Sequence, residues 1–216
     1  MTGLSSAAAS MDRMYRHQRF IYDFTRKPYL LGRDAMIAQL TPPSGGTALE
    51  IGCGTGRNLI RTAQAYPTAR LYGFDVSAEM LTTARLAIGA AGLGERITVA
   101  SADARSFDPE RLFDLPAFDR VFISYVLSMV PDWRDVLGQA ARSLAPGGAL
   151  HIVDFGQQSK LPGPFRTLLF SWLGLFHVTP RAELESELRL LAQSRGLHLD
   201  WRELYRGYAH YAVLTA

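Results

Sequence analysis

Apolar and polar positions along this chain fall into two alternating periods. Short, dense apolar runs at 47–51, 70–75, 96–100, 118–124 and 148–154 predict strands, and the stretches 57–66, 77–91 and 132–144 carry helical spacing, with a short turn at 108–113. Such alternation predicts a parallel sheet with helices on both faces. Runs such as Val121-Phe-Ile-Ser124 suit strands buried on both sides. Asp132 or a neighbour is placed to cap the helix at 132–144, and Pro146-Gly147-Gly148 stops it. A polar helix is expected over 181–194, with Thr179 as its cap, Pro180 in its first turn and Gly196 at its end. Two closing strands, 197–205 and 208–215, join tightly through Arg206-Gly207, a hairpin signal. At the other end, residues 1–10 read as a disordered tail. Residues 11–40 read as helical, broken near Lys27-Pro28 because proline disfavours helix in the residue before it. The stretch from Pro42 to Gly46 is a loop.

The chemistry concentrates where the first strand ends. Residues 48–56 read Ala-Leu-Glu-Ile-Gly-Cys-Gly-Thr-Gly, a strand running into a turn with glycine at 52, 54 and 56. Glycine there permits positive φ and removes the Cβ, so a flat ligand can lie against the main chain. The helix that follows presents free N–H groups at its start. The next strand, Leu71-Tyr-Gly-Phe-Asp75, ends in an acid positioned to take ribose hydroxyls, as in nucleotide-binding βαβ units. The spacing is not the dinucleotide fingerprint, which needs glycine at the sixth position, where this chain has Arg57.

Glu50 followed by G-x-G-x-G, Asp75 at the second strand, Ala102-Asp103-Ala104 after the third, Phe118-Asp119 opening the fourth, and the Leu144-Ala-Pro-Gly-Gly148 turn occur together and in order. This set resembles the class I S-adenosylmethionine-dependent methyltransferases over residues 47–216. The resemblance implies an α/β, Rossmann-like, seven-stranded sheet, mostly parallel with a C-terminal antiparallel strand. It also implies an N-terminal helical lid (11–41), a cofactor-binding half (47–155) and an acceptor-side half (156–216) within one domain spanning 11–216. S-adenosylmethionine is the implied cofactor and S-adenosylhomocysteine its product. The cofactor residues carried over are Glu50, Gly52, Cys53, Gly54, Gly56 and Asn58 around the first turn, and Asp75, Val76 and Met80 after the second strand. Asp103, Ala104 and Ser124 complete the set. Asp103 matches the family's adenine contact. Met80 is equally readable as core, and Cys53 as a small residue in a crowded turn.

Bulk properties narrow the field. A net charge of +3 does not argue for nucleic acid, and one cysteine, Cys53, permits no intramolecular disulfide. No signal peptide is read at the N-terminus and no apolar run is long enough to span a bilayer. The histidines show no metal-ligand spacing, so no metal is expected. Ile-Ser-Tyr-Val after the fourth strand lacks the Asn/Asp-Pro-Pro-aromatic signature of methyltransferases acting on base or glutamine nitrogens.

Two segments bear on the acceptor. Residues 15–33, with Arg13 just before them, interleave Arg16, Arg19, Arg26, Lys27 and Arg33 with Tyr15, Phe20, Tyr22, Phe24 and Tyr29, suiting a lid, a solvated helix or an anionic membrane surface. Residues 162–176 are apolar nearly all round, which requires burial in protein or contact with lipid. The wording of residues 11–34, including Met-Asp-Arg-Met-Tyr-Arg-His-Gln-Arg and Leu-Leu-Gly-Arg-Asp34, resembles the bacterial diacylglyceryl-homoserine N-methyltransferases of betaine-lipid synthesis. That resemblance implies three methyl transfers to one lipid-headgroup amine. It implies a cytoplasmic enzyme, with peripheral contact on the inner membrane face left open. Candidate proton acceptors are Tyr22, His151 and Asp154. Tyr15, Tyr22, Tyr29, Tyr125 and Trp172 are candidates for an aromatic cage around the methylated ammonium. Arg33 is a candidate partner for the homoserine carboxylate. Phosphatidylethanolamine and quinone-type acceptors, or a non-catalytic cofactor-binding subunit, are the alternatives.

Overall fold

The computed structural model describes residues 30–176 and 178–215. Seven strands form one sheet: β1 (Thr47–Ile51), β2 (Arg70–Asp75), β3 (Ile97–Ser101), β4 (Phe118–Ser124), β5 (Leu144–Phe155), β6 (His198–Leu204) and β7 (Ala209–Thr215). Their spatial order is β3-β2-β1-β4-β5-β7-β6. The first five are parallel, β7 runs antiparallel to β5, and β6 antiparallel to β7. Chain order therefore reverses direction across the sheet between β1 and β4, the place where open α/β sheets bind ligands.

The helices are α1 (Arg33–Leu40), α2 (Arg57–Ala65), α3 (Ala78–Ala90), α4 (Pro109–Phe113), α5 (Trp133–Arg142), α6 (Gly163–Gly174) and α7 (Leu184–Arg195). Strand residues alternate between two cores. One core joins Ala48, Leu71, Phe122 and Val153 to Met36 and Leu40 of α1, Leu59 of α2 and Leu81 of α3. The other joins Leu49, Phe74, Val121 and Ile152 to Trp133 and Leu137 of α5 and Leu188 of α7. Both faces of β1 and β4 are thus buried, as their continuous apolar runs predict.

Four local expectations change. Strand β5 begins at Leu144, earlier than the glycine pair suggests, because Leu144 pairs with Phe118 before an irregular excursion rejoins at Ala149 opposite Arg120. Asp132 stands at the N-cap of α5 without capping it, since its carboxylate pairs with Arg105 at 2.9 Å. Thr179 and Pro180 do not open α7. That helix starts at Leu184 after Glu183, because the Arg181 guanidinium is anchored on the carbonyls of Leu127 and Val130. Finally, α6 is not buried all round: Leu173 is enclosed, but Leu168 and Leu175 are 70% and 76% exposed.

Helix α1 has a weak amphipathic pattern and is fastened by Arg120 of β4. This guanidinium donates to Leu40 O at 2.6 Å and Thr41 O at 2.9 Å, satisfying carbonyls at the helix end. Arg120→Ala is expected to lower unfolding stability by about 1–3 kcal/mol. Urea titration checks this; an unchanged midpoint would contradict it.

Candidate cofactor crevice

The C-terminal ends of β1, β2, β3 and β4 surround a cavity of about 310 Å³, in the size range of ligand sites. Gly52 and Gly54 form its edge from the turn after β1, both at positive φ (70° and 53°). A Cβ at Gly54 would meet no protein atom within 4 Å, whereas one at Gly52 would come 2.5 Å from Val126 Cγ2. Gly56, at φ 78°, is the N-cap of α2 and packs beside Ala84 instead of lining the cavity.

Asp75 ends β2 with its carboxylate inside this turn. Its Oδ2 accepts from Gly54 N at 2.9 Å and its Oδ1 from Ser77 N at 2.9 Å. Ser77, not Asp75, caps α3, its hydroxyl accepting from Met80 N. Val76 and Met80 line the cavity next to Asp75. Asp103 and Ala104 line the far side, and Ser124 lines it from the end of β4. Asp103 is not free to meet a ligand with both oxygens: Arg105 Nε lies 3.0 and 3.1 Å from them, and the Arg105 amide donates to Oδ1 at 2.9 Å. Those hydrogen bonds hold the Asp103 carboxyl below its ordinary value.

Glu50 lies behind the turn, 1% exposed, with Oε1 accepting from Asn58 Nδ2 at 2.8 Å. Its Oε2 is buried with no hydrogen-bond partner among the described residues. Burial pushes the Glu50 carboxyl up to about 8. Cys53 is buried against Gly73 and Leu59, and burial raises its thiol further, so it serves as a compact residue in a crowded turn.

Tyr125 also lines the cavity, at φ 58°, a conformation rare for a bulky residue and typical of functional sites. Its amide donates to Val153 O at 2.8 Å and its hydroxyl to Leu31 O. Arg33, half-buried, donates to Leu30 O at 3.1 Å and borders a smaller cavity of about 160 Å³ with Arg57 and Tyr205. Among the described residues it faces no carboxylate within ion-pair distance, and burial, then Arg57, push it below its ordinary value.

Three other candidates lie outside the cavity lining. His151 does not line the crevice. It is 3% exposed in mid-β5, its Nδ1 is 2.8 Å from the Tyr211 hydroxyl, and burial pushes it down to about 4. Asp154 is fully buried, with Oδ1 on Phe155 N and Oδ2 on Ser128 N, so its carboxylate braces the loop after β4. Trp172 lies on α6, edge-on to Phe176, outside the crevice lining. Tyr15, Tyr22 and Tyr29 lie outside the described residues.

Sequence reading missed Arg105 and the wall made by Val126, Met129, Val130 and Pro131. The available signal was position alone: these residues directly follow β3 and β4 at the carboxyl edge of the sheet. Among the described residues, no group of three or more His, Cys, Asp or Glu is placed to hold a metal.

The residues present fit S-adenosylmethionine. A buried, unpartnered Glu50 oxygen suits an ammonium, a glycine edge admits close approach, and Asp75 and Asp103 bracket an apolar floor. Asp75→Ala is expected to weaken S-adenosylhomocysteine binding roughly tenfold or more, since it removes both a polyol acceptor and the brace on Gly54. Unchanged affinity by calorimetry would refute that placement. A second outcome concerns Glu50. Its folded-state value lies above the ordinary 4.5, so the folded chain holds its proton at neutral pH, and the stability this gives is lost as pH rises through about 8. A ligand ammonium seated there must displace that proton. Calorimetry at pH 7 in buffers of differing ionisation heat should show about one proton released per ligand bound, a release absent in Glu50→Gln. A binding heat independent of buffer would exclude the contact.

Comparison with known proteins agrees with this geometry. Residues 48–148 match the family described as methyltransferase domain. Over 117 residues the chain is 32% identical to a trans-aconitate 2-methyltransferase from Azoarcus sp., covering 54% of this chain and 42% of that protein. Over 134 residues it is 32% identical to the ubiquinone/menaquinone biosynthesis C-methyltransferase UbiE of Cereibacter sphaeroides, covering 62% and 51%. The chain thus spans about half the length of the curated relatives it matches. The crystal structure of an O-methyltransferase family 2 protein from Planctomyces limnophilus, in complex with apigenin, superposes with a TM-score of 0.66 at 26% identity, covering 85% of this chain and 57% of that one. The match falls on residues 48–148, a little under half of the chain, and there the chain is similar to methyltransferases in sequence and in fold.

Proposed function

We propose that the chain is an S-adenosylmethionine-dependent N-methyltransferase acting on the amine of a lipid headgroup, diacylglyceryl-homoserine, by three successive transfers. The observation that carries the lipid reading is α6. Its inner side, Leu169, Trp172 and Leu173, packs into the core that contains Tyr125 of the crevice, while Leu168 and Leu175 on its outer side face solvent. An apolar helix next to a cofactor site, open outward, suits an acceptor with acyl chains and a site at the membrane surface. Among the described residues no helix is long and apolar enough to cross a membrane. Residues 156–216 then form the acceptor side, and contact is peripheral.

The cofactor supplies an electrophilic methyl on a sulfonium. The chain supplies position. Glu50 holds the amino-acid end, Asp75 the ribose, and Asp103, oriented by Arg105, the base edge, with Met80 and Met129 as apolar walls. Arg33, which meets no carboxylate within ion-pair distance among the described residues, offers its guanidinium to the headgroup carboxylate. Tyr125 presents a fixed ring to the ammonium. The carboxylates lining the crevice, Asp75 and Asp103, are engaged by backbone amides and Arg105, so the amine proton leaves to solvent. Alignment then provides most of the acceleration, ~7–11 kcal/mol in favourable cases.

The second reading, another small acceptor such as a quinone or an organic acid, draws on what the 32%-identical relatives are called. Incubation with labelled S-adenosylmethionine and a total bacterial lipid extract separates them. Label in a betaine lipid supports the first reading, and label in quinone or phosphatidyl headgroups replaces it. A chain that binds cofactor but labels no fraction refutes the lipid assignment. The double substitution Leu168→Glu, Leu175→Glu is expected to leave cofactor affinity unchanged and cut transfer to vesicle-borne acceptor by roughly fivefold or more. Equal transfer by both proteins would remove α6 from the acceptor route.

A further inference from the structure

The wall of the crevice opposite the glycine turn is residues 126–131, and it is held from behind. Val126 presses on Gly52, and Met129, Val130 and Pro131 continue the surface. Asp154 accepts the Ser128 amide at 3.2 Å. The Thr179 amide donates to Ser128 O at 2.8 Å. Arg181 spreads its guanidinium across two carbonyls, Nε to Leu127 O at 2.9 Å and Nη2 to Val130 O at 2.8 Å. Leu127 and Ser128 are fully buried, so these peptide groups depend on such partners in place of water. A fork of fixed geometry sets the spacing between the two carbonyls as well as satisfying them.

The strap that supplies these bonds comes directly from α6. Val178 N donates to Leu173 O at 3.1 Å, tying the start of the strap to the end of the helix. Arg181 O then accepts from Leu184 N as α7 begins. The path from wall to α6 is therefore continuous: Val126–Pro131, the Arg181 fork and Ser128 O, Thr179, Val178, Leu173.

We propose that Arg181 is a positioning residue of the cofactor crevice, and that the strap Val178–Arg181 couples occupancy of the crevice to the end of α6. A ligand packed against Val126 and Met129 fixes the carbonyls of Leu127 and Val130. Fixed carbonyls hold the fork, and the fork holds the strap against the last turn of α6. Linkage runs both ways, so whatever steadies α6 also tightens the crevice. The inference concerns the cofactor side and holds whichever acceptor the chain uses.

Hydrogen exchange on the full chain, with and without S-adenosylhomocysteine, tests it. Exchange is expected to slow at Ser128, at Thr179 and in the last turn of α6 when the ligand binds. In Arg181→Ala the affinity should fall about tenfold and the slowing in α6 should vanish. Arg181→Lys, which keeps the charge but lacks the fork, should fall between the two. Thr179→Pro deletes a single amide donor on the strap, away from the crevice, and should abolish the slowing in α6 even if Arg181→Ala does not fold. Wild-type affinity in folded Arg181→Ala, or ligand-induced slowing in α6 that persists in Thr179→Pro, would overturn the proposal.

Discussion

Asp75 sets one carboxylate between two backbone amides, those of Gly54 and Ser77, and so fixes the gap between the turn after β1 and the start of α3. The rest of the crevice is built outward from that gap. Gly54 is held at positive φ with its edge bare, Met80 follows Ser77 onto the cavity floor, and Gly52 keeps just enough clearance for Val126. A carboxylate suits this role because each of its two oxygens takes one amide and keeps a lone pair for a donor from outside. A glycine turn without it would be an unsupported loop at the end of a strand.

Charge in the site is arranged by burial more than by pairing. Glu50 lies 1% exposed beside a single amide donor, so its proton is retained until something cationic replaces it. Asp103 is the opposite case, kept ionised by Arg105, which also reaches Asp132 at the head of α5. The two acids thus present different faces to a ligand, one poised to become charged and the other already charged and oriented. His151 and Asp154 are chemically suitable for proton transfer but sit where the sheet consumes them, one against Tyr211 and the other under the wall loop.

The strands and the acids at strand ends were legible because each rests on a local rule: apolar runs of strand length, glycines before a helix, carboxylates at carboxyl ends. The seven strand expectations follow from those rules, whereas the grouping of Gly52, Gly54, Asp75, Val76, Met80, Asp103, Ala104 and Ser124, which line one cavity, came from the family resemblance. The placements that differ depend on tertiary detail. Asp154 lies one residue before the end of β5, close to where Asp75 stands on β2, but it shares the strand face of Ile152, the face covered by α5 and α7. Thr179-Pro180 has the wording of a helix start, yet Arg181 is diverted to two carbonyls fifty residues upstream. The periodicity of 162–176 showed an apolar helix without showing that one side would be left uncovered.

The late antiparallel strand gives these distant contacts their stiffness. By inserting between β5 and β6, β7 turns β5 from an edge into an interior strand, paired from Ala149↔Thr215 to Phe155↔Ala209 on one side and with β4 on the other. An edge strand would leave the backbone around Asp154 unpaired along one flank. An interior one holds it rigid beneath Ser128, with Tyr125 N bonded to Val153 O next to it. The crevice wall therefore rests on an interior strand, while the outer side of α6, with Leu168 and Leu175, is left open to solvent. Such a contrast, a fixed support under a lightly held lever, is what allows a change at one end to be felt at the other without loss of the fold.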